Sequence, residues 1–442
     1  MTDSLGHVVV VGAGFAGLRA THELTDAGFE VTLVDRHPYT TFQPLLYQVA
    51  TGGLNPGDIT YALRRFASAR KRHRGHFRRA TVTGIDTENK QVLCSRGEPI
   101  SYDYLVLSQG VGANFFGIDG AEDLARTIYT RGAAIEVRDI IFSGLEHMAA
   151  ENQQDRRFTV AVVGGGATGV EMAGSLAELK SEGLPVLYPE LYTDNFRVVL
   201  VEMGEHLLAP FDSSLRHYTL DQLRKRGVDV RLNTTIERVD PDKVTFADGG
   251  VLDVDVVIWA AGVGAHKVVK DWNLPQGRGG RIVVDEDLRV QGFDNIFACG
   301  DAALIEKNPL PQLAQPAIQM GAHAAAQIEA LATGQPTRPF QYVDKGTMAT
   351  IGRNAAVVQL APVGRVPAVK FTGYPAWLAW VVVHLSGLLG GRNRLQAMVN
   401  MGFRYVTWPK SATGIMGDIT DSPARRALAG KDGQSAGEQS GN

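Results

Sequence analysis

The sequence predicts an α/β fold with two Rossmann-like dinucleotide-binding domains, the second inserted in the first, followed by a C-terminal region that associates with a membrane. Two segments, beginning at His7 and Phe158, each give an apolar run, a GxGxxG turn, a helix and a second apolar run that ends in an acid. A thirteen-residue apolar run, Trp377 to Leu389, follows much later in the chain. These features indicate two βαβ units and one separate apolar helix.

The composition is that of a globular protein, with 44% hydrophobic and 21% charged residues. A chain of 442 residues exceeds one hydrophobic core, so two or three domains are expected. The net charge of −3 gives no reason to expect a nucleic-acid partner. Cys94 and Cys299 are the only cysteines and form no CxxC pair, which argues against a dithiol centre, a metal site and a disulfide framework.

The first βαβ unit runs from His7 to Asp35. Its three glycines are spaced so that the chain can turn tightly, approach a pyrophosphate and pack the helix on the strand. The start of the helix then presents free N–H groups to the phosphates. Asp35 lies close to the distance of ~20 residues at which an acid binds a ribose hydroxyl. We therefore predict a dinucleotide site at Gly12, Gly14 and Gly17 with Asp35.

The second unit repeats the turn with Gly164, Gly166 and Gly169, and its second strand ends at Glu202. An insertion places this acid 38 residues after Gly164. A carboxylate there accepts hydrogen bonds from a free ribose 2′-hydroxyl and repels a 2′-phosphate, so we predict NADH over NADPH. Two such sites indicate a flavin and a nicotinamide cofactor with hydride transfer between them. The spacing does not say which site binds which cofactor.

Buried strands ending in glycine turns follow each unit, in 102–114 and 252–266, and a further strand ends at Gly300 and Asp301. Three strand-like pieces come after Tyr342, and the last residues are small and polar, a composition typical of disorder. The predicted organisation is a first nucleotide-binding domain over 1–118 and 286–340, a second one over 119–285, a C-terminal region over 341–420 and a disordered tail over 421–442.

With these motifs the chain resembles the two-dinucleotide-binding-domain flavoproteins and, within them, the type II NADH:quinone oxidoreductases, from residue 7 to about 410. The resemblance implies that the first turn binds FAD non-covalently, that the second binds NADH with Glu202, and that Asp301 closes over the flavin. The residues so assigned to FAD in the first unit are Gly12, Gly14, Phe15, Ala16, Gly17, Asp35 and Arg36.

Finer motifs are similar to those of the same family. The segment 42–59 resembles the one these enzymes place along the flavin, and Val82 matches the position whose backbone meets the adenine. In "AQPAIQMG", Gln315 would contact the quinone. Further flavin contacts are implied for Ala317, Ile318 and Lys345.

Glu171 matches a glutamate of the family that is proposed to assist proton delivery to the quinone, with an orienting or structural role as the alternative. A carboxyl next to an apolar tunnel would have a raised pKa. Yeast-like members have a histidine where Ile318 stands, so a proton route through that histidine does not apply here. His384 and Cys299 are interpreted as structural residues.

The apolar run at Trp377 is too short to span a bilayer, which takes ~20 apolar residues. Trp residues at its edges, with Arg392 and Arg394 beyond, favour a pair of helices lying in the membrane interface over a core or dimer contact. The arginine-rich run 64–79 is either a solvated face or a patch facing anionic lipid. The N-terminal sequence offers no cleavable apolar segment, so the expected location is the cytoplasmic face of the cell membrane.

The implied activity is FAD-dependent oxidation of NADH with reduction of a membrane quinone to quinol, without proton pumping. Sulfide:quinone oxidoreductases and disulfide reductases need a cysteine pair that this chain lacks. A soluble reductase that donates electrons to a protein acceptor and a flavin-bound sensor are the remaining alternatives. The sequence leaves open whether the chain is a monomer or a homodimer.

Overall fold

The computed structural model describes residues 4–407 apart from 71, 72, 152, 363, 365 and 366. The tail predicted over 421–442 and Trp408, at the far edge of the apolar C-terminal region, lie outside the described residues.

The strands are, in chain order, β1 (His7–Val11), β2 (Glu30–Asp35), β3 (Tyr39–Thr41), β4 (Thr60–Ala62), β5 (Gly75–Arg79), β6 (Val82–Asp86), β7 (Gln91–Cys94), β8 (Ile100–Ser101), β9 (Tyr104–Leu107), β10 (Gly112–Ala113), β11 (Phe158–Val163), β12 (Phe196–Val201), β13 (Asp229–Arg231), β14 (Ile236–Val239), β15 (Lys243–Phe246), β16 (Val251–Asp253), β17 (Val256–Trp259), β18 (Val263–Gly264), β19 (Ile282–Val284), β20 (Ile296–Ala298), β21 (Ala303–Ile305), β22 (Thr347–Gly352), β23 (Ala355–Leu360) and β24 (Val369–Thr372). The helices are α1 (Phe15–Ala27), α2 (Leu46–Ala50), α3 (Leu63–Ser68), α4 (Ala121–Leu124), α5 (Arg131–Ala150), α6 (Ala167–Glu178), α7 (Leu184–Leu187), α8 (Ser213–Lys225), α9 (Ala314–Ala332), α10 (Gly373–Gly387) and α11 (Gly391–Thr407).

The chain forms two compact units. The first comprises the chain up to Thr41, then 60–114 and 263–345. Its parallel sheet has the order β20-β9-β1-β2-β5, and β6, β7 and β8 form a separate antiparallel sheet. Helices α1 and α9 pack against each other. Strands β1, β9 and β20 are apolar and buried on both faces, as expected inside a covered parallel sheet, whereas the edge strand β5 is polar and partly exposed.

The second unit comprises 42–59, 115–262 and, of the chain from Gly346 onward, the described residues up to Thr407. Its parallel sheet has the order β13-β12-β11-β17, and β14, β15 and β16 form an antiparallel sheet. A third sheet, β22-β23-β24, packs on α6, and α10 packs on β23. A short π-helical segment, Leu179–Gly183, joins α6 to α7.

The two parallel sheets repeat one plan, which confirms the predicted fold class. In each, the strand before the glycine turn is paired on both sides, β1 by β2 and β9, and β11 by β12 and β17. The register is the same as well. Val11 lies opposite Val34, the residue before Asp35, and Val163 lies opposite Val201, the residue before Glu202.

The division into units differs from the boundaries predicted at residues 118, 285 and 340. The structural units change at 114, 262 and 345, and the segment 42–59 lies in the second unit because α2 packs on α5 and α6. The chain from Gly346, predicted as a region of its own, also belongs to the second unit, because β22 packs along α6. These contacts are made between segments far apart in sequence.

Helix α10 contains the apolar run and is apolar on all sides. One side is in the core, including Trp377 at 6% exposure and Trp380 at 1%. The interpretation of Trp377 as an interfacial anchor is therefore wrong. The opposite side of α10 and one side of α11 expose large apolar residues at 45–60%, which we call the apolar surface: Tyr374, Leu378, Val382, Val383, Leu395, Met398 and Val399. Among the described helices, none combines the length and hydropathy needed to cross a bilayer.

Candidate active site

In the first glycine turn each glycine has a distinct physical role. Gly12 has φ of +94°, which favours glycine, and a Cβ on Gly17 would lie 1.9 Å from the carbonyl oxygen of Gly12. A Cβ on Gly14 would meet no atom within 4 Å. Gly14 precedes α1, and no side chain caps the helix. The N–H groups of the first helical turn are therefore not capped by a side chain, and the space beside Gly14 is open, as at helix starts that bind phosphate.

Asp35 ends β2 beside this turn. Its Oδ2 accepts a hydrogen bond from the N–H of Ala13 at 2.8 Å, and its Oδ1 accepts one from the N–H of His37 at 2.8 Å. The carboxylate is thus held at the turn before any ligand binds. The next residue, Arg36, has a carbonyl that accepts a hydrogen bond from Arg79 Nε at 3.3 Å.

The turn containing Gly300 and Asp301 lies between the starts of α1 and α9. Gly300 has φ of +70°, and its Cβ would lie 3.2 Å from that of Ala16 and 3.4 Å from that of Ala317. Burial raises the pKa of Asp301 to about 6, although Arg281 opposes this shift. The structure thus places Asp301 near the start of α1, and its role in closing over the flavin stays a prediction.

Arg281 is a residue that the sequence analysis missed. Its Nε is buried and has no hydrogen-bond partner among the described residues, while its Nη2 donates to the carbonyl of Ala303. A buried, unpaired guanidinium N–H near Asp301 fits an anionic ligand such as a cofactor phosphate. No motif in the sequence indicates that Arg281 lies near Asp301.

The other flavin positions of the first unit are spread over three elements. Val82 begins β6 and is buried. Gln315 and Ile318 are half-buried in the first turns of α9. Ala317 is buried, and its N–H donates to the carbonyl of Leu313 at 3.2 Å. Lys345, the last residue of this unit, is exposed. The flavin and quinone contacts of these residues stay predictions.

The second glycine turn has nearly the same geometry as the first. Gly164 has φ of +108°, a Cβ on Gly169 would lie 1.8 Å from the carbonyl oxygen of Gly164, and a Cβ on Gly166 would meet no atom within 4 Å. Gly166 precedes α6, which also has no side-chain cap. This turn therefore has the same open space and uncapped helix start as the first.

Glu202 follows β12 as Asp35 ends β2. Its Oε2 accepts a hydrogen bond from the N–H of Gly165 at 2.5 Å, and its Oε1 accepts one from the N–H of Gly204 at 2.7 Å. The closest basic residue in the adjoining strand, Arg231, is engaged with Asp229 at 3.3 Å. The insertion between α6 and β12 has not moved the acid away from the turn.

Glu171 lies in the second turn of α6 and is buried. Residues of β22 and α10 contact its carboxyl group. Its Oε1 accepts hydrogen bonds from the Thr350 N–H at 3.3 Å and the Trp380 indole N–H at 3.2 Å. Burial raises the pKa of Glu171 to about 8, and the two hydrogen bonds only partly offset this. The side chain is therefore mostly protonated at neutral pH and can donate a proton.

Thr350 and Trp380 are site residues that the sequence analysis missed. Thr350 lies in the predicted strand β22, whose register against α6 is a tertiary feature. Trp380 lies in a helix without amphipathic pattern, so the sequence does not show which side faces the core. His384 stacks on Trp380 at 4.0 Å, and burial lowers its pKa to about 4, so it is neutral at physiological pH.

Comparison with known proteins agrees with this arrangement. The sequence profile described as pyridine nucleotide-disulphide oxidoreductase matches residues 6–321. The type II NADH:quinone oxidoreductase Ndh of Mycobacterium tuberculosis (strain ATCC 25618 / H37Rv) is 34% identical over 417 residues, which are 90% of this chain and 88% of that protein. The type II NADH:quinone oxidoreductase of Staphylococcus aureus (strain NCTC 8325 / PS 47) is 32% identical over 371 residues, with 81% and 90% covered.

Among solved structures, that of NDH2 from Plasmodium falciparum in complex with NADH has the same fold. Its TM-score is 0.82 at 21% identity, and the match covers 93% of this chain and 99% of that one. The match covers 88% and 90% of the two relatives and 99% of the solved structure. The chain therefore belongs to the pyridine nucleotide-disulphide oxidoreductase family and, within it, to the type II NADH:quinone oxidoreductases.

Proposed function

We propose that this oxidoreductase transfers electrons from NADH through non-covalently bound FAD to a membrane quinone, without pumping protons. The observation that carries the proposal is the pair of equivalent glycine turns, each with open space at its second glycine and an acid fixed beside it. One dinucleotide site would suit many enzymes. Two sites with a buried, protonated Glu171 at the second suit a two-cofactor reaction that consumes a proton.

In the first unit, the N–H groups at Gly14 and the start of α1 would hold the FAD phosphates, and Asp35 would hold the ribose. Asp301 would close over the flavin, and the unpaired Nε of Arg281 would add a positive charge. FAD, when bound, accepts a hydride from NADH and passes two electrons to the acceptor.

In the second unit, the turn at Gly166 would hold the NADH phosphates, and the carboxylate of Glu202 would accept the ribose hydroxyls. Its two backbone hydrogen bonds fix the carboxylate but leave lone pairs for these hydroxyls. A 2′-phosphate would meet this negative charge, which favours NADH over NADPH.

Glu171 would supply a proton to the reduced quinone, since its carboxyl is protonated at neutral pH and loses that proton readily when an oxyanion forms nearby. Alternatively, Glu171 orients Trp380 and Thr350 through the same two hydrogen bonds and does not lose its proton. Gln315 would orient the quinone head group through its amide.

The apolar surface of α10 and α11 would place the protein on a membrane without crossing it. Seven large apolar side chains are exposed on two neighbouring helices. Single exposed apolar residues are common on protein surfaces, whereas a cluster of this kind marks an interaction surface. Lys370, just before α10, forms an ion pair with Asp212, so its charge is partly neutralised. We place this surface on the cytoplasmic face of the cell membrane, where a quinone dissolved in lipid is accessible.

Steady-state oxidation of NADH by the FAD-loaded protein tests the proposal. Fast turnover with a short-chain quinone, and none with a ferredoxin-like protein, is the expected result. Turnover only with the protein acceptor would favour a soluble reductase, and the absence of turnover with either would favour a flavin sensor. Vesicles reconstituted with the enzyme should show no internal acidification during turnover, and acidification would contradict the absence of pumping.

A further inference from the structure

One face of α6 carries a row of buried polar side chains. Glu171, Ser175 and Glu178 are spaced four and three residues apart, so they lie on one face of the helix. Their exposures are 9, 4 and 7%. One turn further on, Glu182 is partly exposed and pairs with Arg353 at 3.4 Å. The row therefore leads from the buried Glu171 to the surface.

A small cavity lies beside the middle of this row and has room for about one water molecule. The cavity is lined by Tyr47, Gln48, Ser175, Glu178, Thr350, Gly352 and Trp377. Most of these residues present a hydroxyl, an amide or a carboxyl group. A buried water needs such partners, because it makes about three hydrogen bonds on average.

Gln48 gives a second, independent indication of a water molecule. It is 4% exposed, and its Nε2 donates to the Tyr47 hydroxyl at 2.9 Å. Its Oε1 is buried and has no hydrogen-bond partner among the described residues. A buried amide oxygen without a partner destabilises the fold, and a water in the cavity that Gln48 lines would donate the missing hydrogen bond.

Two residues that line the cavity are neighbours of Glu171. Thr350 lines the cavity, and its N–H donates to Glu171 Oε1. Ser175, one turn from Glu171, lines the cavity too, and its Oγ is 2.7 Å from the Oγ1 of Thr51. Both hydrogen bonds to the Glu171 carboxyl fall on Oε1, so in the described chain Oε2 has no hydrogen-bond partner. Oε2 is thus left to exchange a proton.

We propose that this cavity binds a proton-carrying water and that Glu178 reprotonates Glu171 through it along the α6 row. The proposal rests on the proposed function and names the route by which solvent protons reach that site. Charged groups that face the outer end of the row are Glu182, Arg353 and Arg226, the last within 3.5 Å of a Cβ placed on Gly352.

The proton count is one per turnover. NADH gives two electrons and one proton as hydride, and quinone takes two electrons and two protons, so the second proton comes from solvent. The O–H bond of Glu171 breaks as an O–H bond of the quinol forms. The Glu171 carboxylate then takes a proton from the water, the water takes one from Glu178, and Glu178 takes one from solvent.

The decisive experiment separates the two half-reactions of the FAD-loaded enzyme by stopped flow. Glu178→Gln keeps an acceptor for the Arg353 N–H but cannot relay a proton. We expect flavin reduction by NADH to keep its rate, and reoxidation by a short-chain quinone to slow about tenfold or more with a larger solvent deuterium isotope effect. Glu146→Gln, which alters a carboxyl that bonds Tyr188 in the same unit, is the matched control and should change neither.

A crystal structure that resolves waters supplies a readout besides activity. It should show a water bound to Gln48 Oε1 in the cavity, and Gln48→Leu should remove that water and slow only flavin reoxidation. If quinone reoxidises the flavin of the wild type and of Glu178→Gln at the same fast rate, the proton route is overturned and the proposed function is not. Wild type without quinone reduction overturns the proposed function and the route with it. If Glu178→Gln slows both half-reactions, the Gln48→Leu variant decides, and unchanged reoxidation in that variant overturns the route.

Discussion

The indole N–H of Trp380 donates a hydrogen bond to Oε1 of Glu171 at 3.2 Å. This contact joins α10, whose opposite side exposes the apolar surface, to the buried carboxyl beside the second glycine turn. The hydrogen bond stabilises the charged form of the carboxyl and so lowers the pKa of Glu171, against the larger effect of burial. The proton affinity of the site therefore depends on a residue of the C-terminal helix.

Trp380→Phe removes this donor while keeping most of the ring volume. We expect the pKa of Glu171 to rise further, so that the pH at which quinone-driven flavin reoxidation changes moves upward. The free energy of unfolding near pH 7 should fall by about 1 kcal/mol, because one buried hydrogen bond is lost. The measurement is a pH series of stopped-flow reoxidation rates. Trp272→Phe, at a buried tryptophan of the first unit, is the control, and an equal pH shift in both variants would contradict the role of the Trp380 contact.

Glu171→Gln should stabilise the folded protein increasingly as pH rises. Burial raises the pKa of Glu171 from 4.5 to about 8, so between these values the folded chain binds the proton and the unfolded chain does not. The wild-type free energy of unfolding therefore falls across this window, by on the order of 5 kcal/mol in total, and the variant escapes this loss. Urea denaturation at several pH values measures it. A stability difference independent of pH would rule out the raised pKa.

Glycine substitutions should separate binding from folding in the second turn. Gly166→Ala puts a methyl group into open space where the NADH phosphates would approach, so the KM for NADH should rise about tenfold with an unchanged Tm. Gly169→Ala places its Cβ 1.8 Å from the carbonyl oxygen of Gly164, so it should lower the Tm strongly. Equal losses of stability in the two variants would show that the space at Gly166 has no such function.

Glu202→Gln should narrow the preference for NADH over NADPH by about tenfold in kcat/KM, because the carboxylate that repels a 2′-phosphate becomes neutral. The amide keeps one acceptor, so activity with NADH should survive. The N–H of Gly165 donates to this carboxyl and can donate to the amide oxygen in the same way. Asp35→Asn makes the equivalent change at the first glycine turn, and as the control it should leave the NADH to NADPH ratio unchanged. If Glu202→Gln leaves the NADH to NADPH ratio as in wild type, the assignment of Glu202 is wrong.

Membrane binding should depend on the exposed side of α10 and not on its buried side. Leu378→Gln with Val382→Gln and Val383→Gln should reduce flotation with liposomes at least about tenfold, since each buried apolar side chain contributes about 1.5–3 kcal/mol. Activity with a water-soluble quinone should be kept, because Trp380 still contacts Glu171. Deletion of α10 would remove that contact as well and confound the two effects. Undiminished flotation would contradict the interfacial role of this surface.

The parts of the site that could be predicted are those fixed by local spacing. The glycine turns depend on residues within one βα connection, and for this reason Gly12, Gly164 and their neighbours have the geometry that the motif predicts. Glu171 lies five residues after Gly166 in the same helix and could be singled out by resemblance.

The parts that could not be predicted depend on packing between distant segments. Trp380 lies 209 residues from Glu171 in the chain, and Thr350 lies 179 residues away. Helix α10 is apolar all round, so nothing in its sequence distinguishes a core side from an exposed side, and the prediction of an interfacial Trp377 is wrong. The segment 42–59 is close in sequence to the first unit but packs with the second.

The equal register of β1 with β2 and of β11 with β12 has a consequence for recognising such sites in other chains. In each unit, the last residue before the glycine turn pairs with a residue of the neighbouring strand, and the acid is the next residue after that partner. This holds for Asp35 and for Glu202, although Asp35 lies 23 residues after Gly12 and Glu202 lies 38 residues after Gly164. The position of the acid is set by neighbouring strands in the sheet, so chain length between helix and strand is free to vary. A search rule based on strand pairing would tolerate insertions that a rule based on residue counting rejects.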